Sequence, residues 1–320
     1  MNNRSEKVRN ALCYPRNLVG GKTLPVSMLD HVIYKDKVHD APIVTYYCPS
    51  TGDILSKASY QLAINNAVNE IYPATDHTPF SFEIEDSLKV LYVTFDCSIR
   101  SENAGHPLWD KRLINICRMV KKINADLVFF SEACRKSANV HWLQMRLKIT
   151  ELTELEYCLE STNNFSKDSM SFGVAMFAKK TALYHLESIQ ATRLLEVDPS
   201  ISFWGSGCIV VKTKTGTVLV GCQFPIDFKR TGSDNLTGKS MKSLIALLDD
   251  CIKSVNDRAY GFGDFNTIEG NMAESVYDVL VKTNWKMTDG IYTFLASYYD
   301  EVQGDTKFTE MTDEVIRNIL

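Results

Sequence analysis

Apolar residues recur along this chain with two periods, and the change from one to the other outlines strand–helix–strand units. Leu88-Lys-Val-Leu-Tyr-Val-Thr-Phe95 is a dense apolar run of strand length. From Leu108 to Ile123 the spacing becomes helical, with Leu113, Ile116, Cys117 and Val120 on one face and Lys and Arg between them. Asn124-Ala-Asp126 breaks that helix, and Leu127-Val-Phe-Phe-Ser131 follows as a second strand. Phe172–Ala178 reads as a buried strand. Cys208-Ile-Val-Val-Lys-Thr-Lys, the turn Thr215-Gly216 and Thr217–Phe224 read as a β-hairpin. Lys239–Val255 returns to the helical period through Leu244, Ile245, Leu248 and Ile252. It leads into the strand Tyr260-Gly-Phe-Gly-Asp-Phe-Asn266.

The first part of the chain has a pattern of its own. Leu24-Pro-Val-Ser-Met-Leu-Asp30 is followed by Val32-Ile33, Asp40-Ala-Pro-Ile-Val44 and Gly52–Ile64, and the series closes with Tyr72-Pro-Ala-Thr-Asp-His-Thr-Pro-Phe80. The acidic stretch Glu83-Ile-Glu-Asp-Ser87 marks a boundary, predicting one domain over 1–86 (core about 24–80) and a second over 87–320. The length of 320 residues accommodates two domains and a large core.

Composition narrows the function classes. A net charge of −4 argues against broad non-specific nucleic-acid binding. The nine cysteines are scattered, odd in number and without a Cys-x-x-Cys, so neither a disulfide framework nor a zinc cage is predicted. Free thiols in a reducing cytosol are the expectation, and with it a cytoplasmic location. No run approaches the roughly 18 apolar residues of a membrane span, and the polar N-terminus has no apolar signal region after it.

Candidate chemistry sits at strand ends, where open α/β sheets carry their active sites. Gly263-Asp264-Phe265-Asn266 puts a carboxylate and an amide together at a strand tip, an arrangement suited to a divalent metal and a phosphate oxygen. Glu132 ends the Leu127–Ser131 strand. Together these residues resemble the endonuclease/exonuclease/phosphatase family, whose members cleave phosphoesters with Mg²⁺. The resemblance covers roughly Leu88 to Asp300 and implies a four-layer α/β sandwich. It also implies a cleft of Asp96, Glu132, Gln223, Asp264 and Asn266, with Glu132 and Asp264 as the Mg²⁺ ligands. Asp96 stands where the family has asparagine. Gln223 stands where it has a histidine, and glutamine cannot carry a titrating proton. The family's closing Asp-His pair is expected after Tyr292-Thr-Phe294, where Asp300 has no histidine after it. None of the six histidines lies beyond His185. General acid–base help supplies roughly 10²–10⁴-fold, so weak phosphoester turnover or none is expected.

The first segment resembles the U-box, the zinc-free relative of the RING finger in ubiquitin ligases. Pro73-Ala-Thr-Asp-His-Thr-Pro79 is its best match. A RING holds two zincs with about eight Cys or His ligands. Here there are Cys13, Cys48, His31, His39 and His77, so no zinc is expected and Asp40, Ser56, Ser59, Thr75 and Asp76 would hold the loops. The resemblance implies docking of a ubiquitin-charged conjugating enzyme on Val32, Ile33 and Pro73 as exposed anchors. The first functional expectation is therefore a ubiquitin ligase of α+β fold, with conjugating enzyme, ubiquitin and a protein substrate as partners. By analogy it resembles an effector that a pathogen places in a host cytosol. The alternatives are a Mg²⁺-dependent phosphodiesterase or phosphatase of nuclease or phospholipid/inositol type, and a non-catalytic protein that binds a phosphorylated ligand in the same cleft.

Overall fold

A computed structural model describes residues 17–19, 22–23, 28–29, 31–35, 41–47, 52–54, 77–84, 87–94, 109–131, 151, 155–160, 174–195, 206–224, 236–252, 257–265, 279–280 and 282–288. Two six-stranded mixed sheets form its framework. The chain contributes β1 (Asn17–Val19), β2 (Lys22–Thr23), β3 (Met28–Leu29), β4 (His31–Lys35), β5 (Val44–Tyr46), β6 (His77–Thr78), β7 (Phe80–Glu83) and β8 (Lys89–Thr94). Helix α1 (Trp109–Ile123) then leads to β9 (Leu127–Ser131), β10 (Leu155–Glu160) and β11 (Ala175–Lys179). A short α2 (Lys180–Leu183) precedes β12 (Leu186–Leu195), β13 (Ser206–Thr213) and β14 (Val218–Gln223). Helix α3 (Leu236–Cys251), β15 (Ala259–Asp264) and β16 (Trp285–Met287) complete the order.

The two sheets share one plan. The first runs β10-β11-β9-β8-β7-β5 and the second β12-β13-β14-β15-β4-β16. Each has a single parallel pair at its centre, β8 with β9 and β14 with β15, and antiparallel neighbours on either side. Parallel neighbours need a crossover. Helix α1 lies in the first and α3 in the second. The predicted punctuation is in place. Asn124 ends α1 with φ +58° and donates its amide to the Val120 carbonyl (2.9 Å). Gly216 turns the β13–β14 hairpin with φ +95°.

The sheets pack face to face. Phe80, Phe82, Tyr92 and Phe129 of the first meet Val32, Leu219, Tyr260 and Phe262 of the second in one buried cluster. Phe262 is its hub, with ring centroids 4.9 Å from Phe129, 5.2 Å from Phe82 and 5.9 Å from Tyr92. The outer face of the second sheet is covered by α3, whose Met241, Leu244, Ile245 and Leu248 pack with Ile33, Val218, Val220 and Cys222. The outward side chains of the first sheet, Leu91, Val93, Val128 and Phe130, are fully buried as well. Strands buried on both faces read as continuous apolar runs, which is why these segments were conspicuous in the sequence.

The described strands do not divide the chain at 86/87. β4 is an interior strand of the second sheet, antiparallel to β15 on one side and β16 on the other. β5 and β7 extend the first sheet from β8. Lys35 of β4 also binds Asp249 of α3 at 2.5 Å, and the Trp285 indole N–H donates to the same carboxylate at 3.2 Å. The expected boundary at 86/87 is therefore corrected: of the strands described in 1–86, β4 lies within the second sheet and β5 and β7 within the first, whereas β1–β2 and β3–β6 pair as two-stranded sheets of their own. The expected helix near Lys57–Ile71 lies outside the described residues.

Candidate functional site

The parallel pairs set the end of the sandwich at which a site can form. β8 and β9 finish at Thr94 and Ser131, which are in register, and Ser131 Oγ donates to Thr94 Oγ1 at 2.8 Å. β14 and β15 finish at Gln223 and Asp264, also in register. Tyr92 shows that these two ends coincide. Its hydroxyl donates to the Cys222 carbonyl at 2.8 Å and accepts from the Asp264 amide at 3.1 Å. The carboxyl ends of all four central strands thus meet at one end of the sandwich.

Alternation decides which side chains face the gap between the sheets. Phe224 and Phe265 belong to the outer cluster with α3, their rings 4.9 Å apart. Gln223 and Asp264, one residue earlier on each strand, therefore face inward, as Leu219, Tyr260 and Phe262 do. Thr94 and Ser131 share the inward face with Tyr92 and Phe129. All four polar residues are buried, Asp264 to 3% and Gln223 to 4% exposure. A carboxylate and an amide from one sheet and two hydroxyls from the other, above a layer of aromatic rings, form a polar floor at the end of an apolar core.

Two glycines make room for this arrangement. A Cβ on Gly221 would lie 2.9 Å from Cε1 of Phe129 in the facing sheet. A Cβ on Gly263 would overlap the Cys222 carbonyl oxygen and come within 3.1 Å of the Tyr92 hydroxyl, and Gly263 has φ +146°.

Of the residues expected in the cleft, Gln223 and Asp264 are brought together. Asp96, Glu132 and Asn266 lie outside the described residues. They follow Thr94 by two positions, Ser131 by one and Asp264 by two. Among the described residues no three His, Cys, Asp or Glu side chains gather as a metal cage. The carboxylate of Asp264 and the amide of Gln223 are hard oxygen donors of the type Mg²⁺ takes. The residues expected to dock a conjugating enzyme fare differently. Val32 and Ile33 are fully buried, Val32 between the sheets and Ile33 under α3, so neither is an exposed anchor. Pro73 lies outside the described residues.

What the sequence reading missed is a contribution from the front of the chain. β4 runs antiparallel to β15, so its first residue, His31, stands opposite Gly263 at the Asp264 end. The His31 ring is nearly buried, and Nδ1 lies 3.2 Å from the Thr288 carbonyl. A carbonyl can only accept, so this contact assigns the proton to Nδ1. On the other sheet β7 runs antiparallel to β8, with Phe80 opposite Tyr92. The chain entering β7 therefore comes from the Thr94 end, and it enters through β6, which pairs in parallel with β3 (Met28 opposite His77, Leu29 opposite Thr78). The dipeptide Asp76-His77 thus stands in the sequence directly before a strand that borders β8. The available signal was an Asp-His pair leading straight into the apolar strand Phe80–Glu83.

No family model matches the chain, and no curated protein sequence matches it significantly. Solved structures with a similar course of chain include an endonuclease/exonuclease/phosphatase family protein from Leptotrichia buccalis. It is 14% identical, with 61% of this chain and 74% of that one covered and a TM-score of 0.43. A beta toxin from Staphylococcus aureus is 16% identical over 61% of this chain and 71% of its own, with a TM-score of 0.41. ANGEL2, a 2',3'-cyclic phosphatase solved with adenosine-2',3'-vanadate, is 17% identical with a TM-score of 0.35. The match spans 50% of this chain and less than half, 45%, of ANGEL2. At these scores the likeness assigns no residue a role. The layered α/β sandwich rests on the strand pairing itself.

Proposed function

We propose that this chain is a phosphoesterase of the endonuclease/exonuclease/phosphatase type, working at the end of the sandwich where Thr94, Ser131, Gln223 and Asp264 converge. The observation that carries the reading is the in-register pair Gln223 and Asp264, facing inward at the carboxyl ends of a parallel strand pair. Support also comes from the Gly-Asp-Phe-Asn motif that contains Asp264. Asp264 and Glu132 would hold Mg²⁺, with Asp96 and Asn266 as further oxygen donors. A divalent cation at such a site neutralises charge on the phosphate oxygens and polarises the ester. Gln223, which can donate but not titrate, would orient a phosphate oxygen by its amide N–H. His77, on the segment that enters the sandwich from the Thr94 end, is the histidine we assign as the titrating group that position 223 lacks, on the strength of that topology alone. The ubiquitin-ligase expectation is not carried forward, because Val32 and Ile33 are core residues.

A second reading has a specific observation behind it. Glutamine at 223 removes one titrating group, so a cleft that binds a phosphorylated ligand without turning it over is the competing outcome. Hydrolysis of bis(p-nitrophenyl) phosphate and of p-nitrophenyl phosphate, with Mg²⁺ or Mn²⁺, separates the two. Metal-dependent turnover abolished in Asp264→Ala supports the phosphoesterase. Absence of turnover together with saturable, metal-dependent binding of a phosphoester establishes the binder. Absence of both overturns the site.

A further inference from the structure

We propose that Tyr92 is a positioning residue whose hydroxyl, reaching across from the opposite sheet, fixes the backbone that carries Asp264. This proposal rests on the phosphoester site described above. The Phe224 amide donates to the Asp264 carbonyl at 2.9 Å. In a parallel ladder of that phase, the Cys222 carbonyl and the Asp264 amide face each other as the preceding ladder partners. The Tyr92 hydroxyl engages both groups, giving its proton to the first at 2.8 Å and accepting from the second at 3.1 Å. One hydroxyl of the first sheet thus enters the hydrogen bonding of the second, at the pair that ends in Gln223 and Asp264.

Gly263 carries the proposal independently. It stands opposite Cys222, has φ +146°, and has no side-chain atom in the space that the hydroxyl and the Cys222 carbonyl occupy. The backbone has left ordinary strand geometry where the hydroxyl enters. The Tyr92 ring is itself fixed by Phe80 at 5.5 Å and Phe262 at 5.9 Å, so the hydroxyl is held from below. A group that orients a ligand without touching the reacting atoms sets metal affinity and turnover through that ligand, and its loss typically costs 10–100-fold.

Tyr92→Phe keeps the ring and removes the hydroxyl. Three measurements on the full chain test the idea: amide hydrogen exchange in the peptide spanning 261–265, Mn²⁺ affinity by titration, and thermal melting. The expected result is exchange at least about tenfold faster there and a Mn²⁺ dissociation constant raised about 10–100-fold. Phe82→Leu, which trims the same aromatic cluster away from the hydroxyl, serves as control. It should lower the melting temperature with Mn²⁺ affinity unchanged. Equal loss of Mn²⁺ affinity in both variants at equal loss of stability would overturn the positioning role. So would unchanged exchange at 261–265 in Tyr92→Phe. If the unsubstituted protein binds no Mn²⁺, the phosphoester reading fails. Exchange then decides separately whether Tyr92 holds Asp264: faster exchange upholds the placement and unchanged exchange rejects it.

Discussion

Gly263 and Cys222 face each other across the β14–β15 pair so closely that any Cβ at 263 would overlap the Cys222 carbonyl oxygen. The glycine is required twice, by this approach and by φ +146°, a region that L side chains rarely adopt. The candidate carboxylate Asp264 is the next residue, so the strain-tolerant position and the chemistry are covalently adjacent.

Gly263→Ala should therefore destabilise the protein by about 2–4 kcal/mol, combining backbone strain with overpacking. At about 2.1 cal/mol/K of unfolding entropy per residue, each kcal/mol moves the melting temperature of a chain this long by roughly 1.5 °C. A thermal melt within a degree or two of the unsubstituted protein would show that the strand end relaxes freely. The placement of Asp264 would then lose its structural basis.

The approach of the two sheets at Gly221 predicts a compensating pair. Gly221→Ala alone should cost about 1–3 kcal/mol, because the new methyl runs into the Phe129 ring. Phe129→Leu alone should also destabilise, by leaving a gap beside Phe262. The double variant should be more stable than the sum of the two losses implies, with a coupling of about 0.5–3 kcal/mol in a denaturant cycle. Simple additivity would mean that the sheets do not meet there.

The sequence was most legible where strands and helices are local and continuously apolar. The runs 88–95 and 127–131, the hairpin around Gly216 and the two amphipathic helices lie within a few residues of β8, β9, β13–β14, α1 and α3. Asp264 is legible from the strand-end motif itself, whereas Gln223 follows only from the resemblance, which puts a histidine at its place. The front of the chain was misread for a physical reason. β4 is five residues long, and its partners are more than 200 positions away, so no local period marks it as an interior strand. Its apolar residues Val32 and Ile33 look the same in sequence whether they lie on a docking loop or in a core. The segments that bear His31 and His77 therefore read as part of a different domain from the strands they join or precede.

Burial of that front segment gives a direct test. Ile33→Ala should cost about 2–5 kcal/mol, as deletion of buried aliphatic groups does. Removal of residues 1–86 should abolish cooperative unfolding altogether. It would strip β4 from between β15 and β16 and leave the backbone groups of β15 unpaired along one edge. A well-dispersed NMR spectrum from residues 87–320 alone would restore the two-domain division.

Cys208 predicts a pH effect with a definite sign. Burial, with the neighbouring Cys251 as a lesser cause, pushes its thiol up to about 12. In the unfolded chain a cysteine ionises near 8.5. Below that pH both states hold the proton and the group is neutral in the balance. Above it the unfolded state loses the proton first, so stability falls as pH rises from about 9 towards 12, by up to about 1.4 kcal/mol per pH unit. Cys208→Ser or Cys208→Ala should flatten that part of the stability curve. In the native protein at pH 8 the thiol should resist alkylation, and peptide mapping after iodoacetamide treatment reads this directly.

His77 offers the sharpest functional test, because it separates a disabled scaffold from a working one. The case rests on topology: β7 borders β8 in antiparallel register, so the chain before Phe80 arrives at the Thr94 end, and β6 with His77 is what arrives. If His77 moves the proton at the ester oxygen, His77→Ala should lower kcat by about 10²–10⁴-fold. His185 is the appropriate control. It is exposed and lies beside the Thr213–Thr217 hairpin, where β14 begins and opposite the end at which Gln223 stands. His185→Ala should leave turnover untouched. Equal rates in the two variants would remove His77 from the mechanism, and an unaltered phosphoester affinity in His77→Ala beside absent turnover in both would establish the cleft as a binding site.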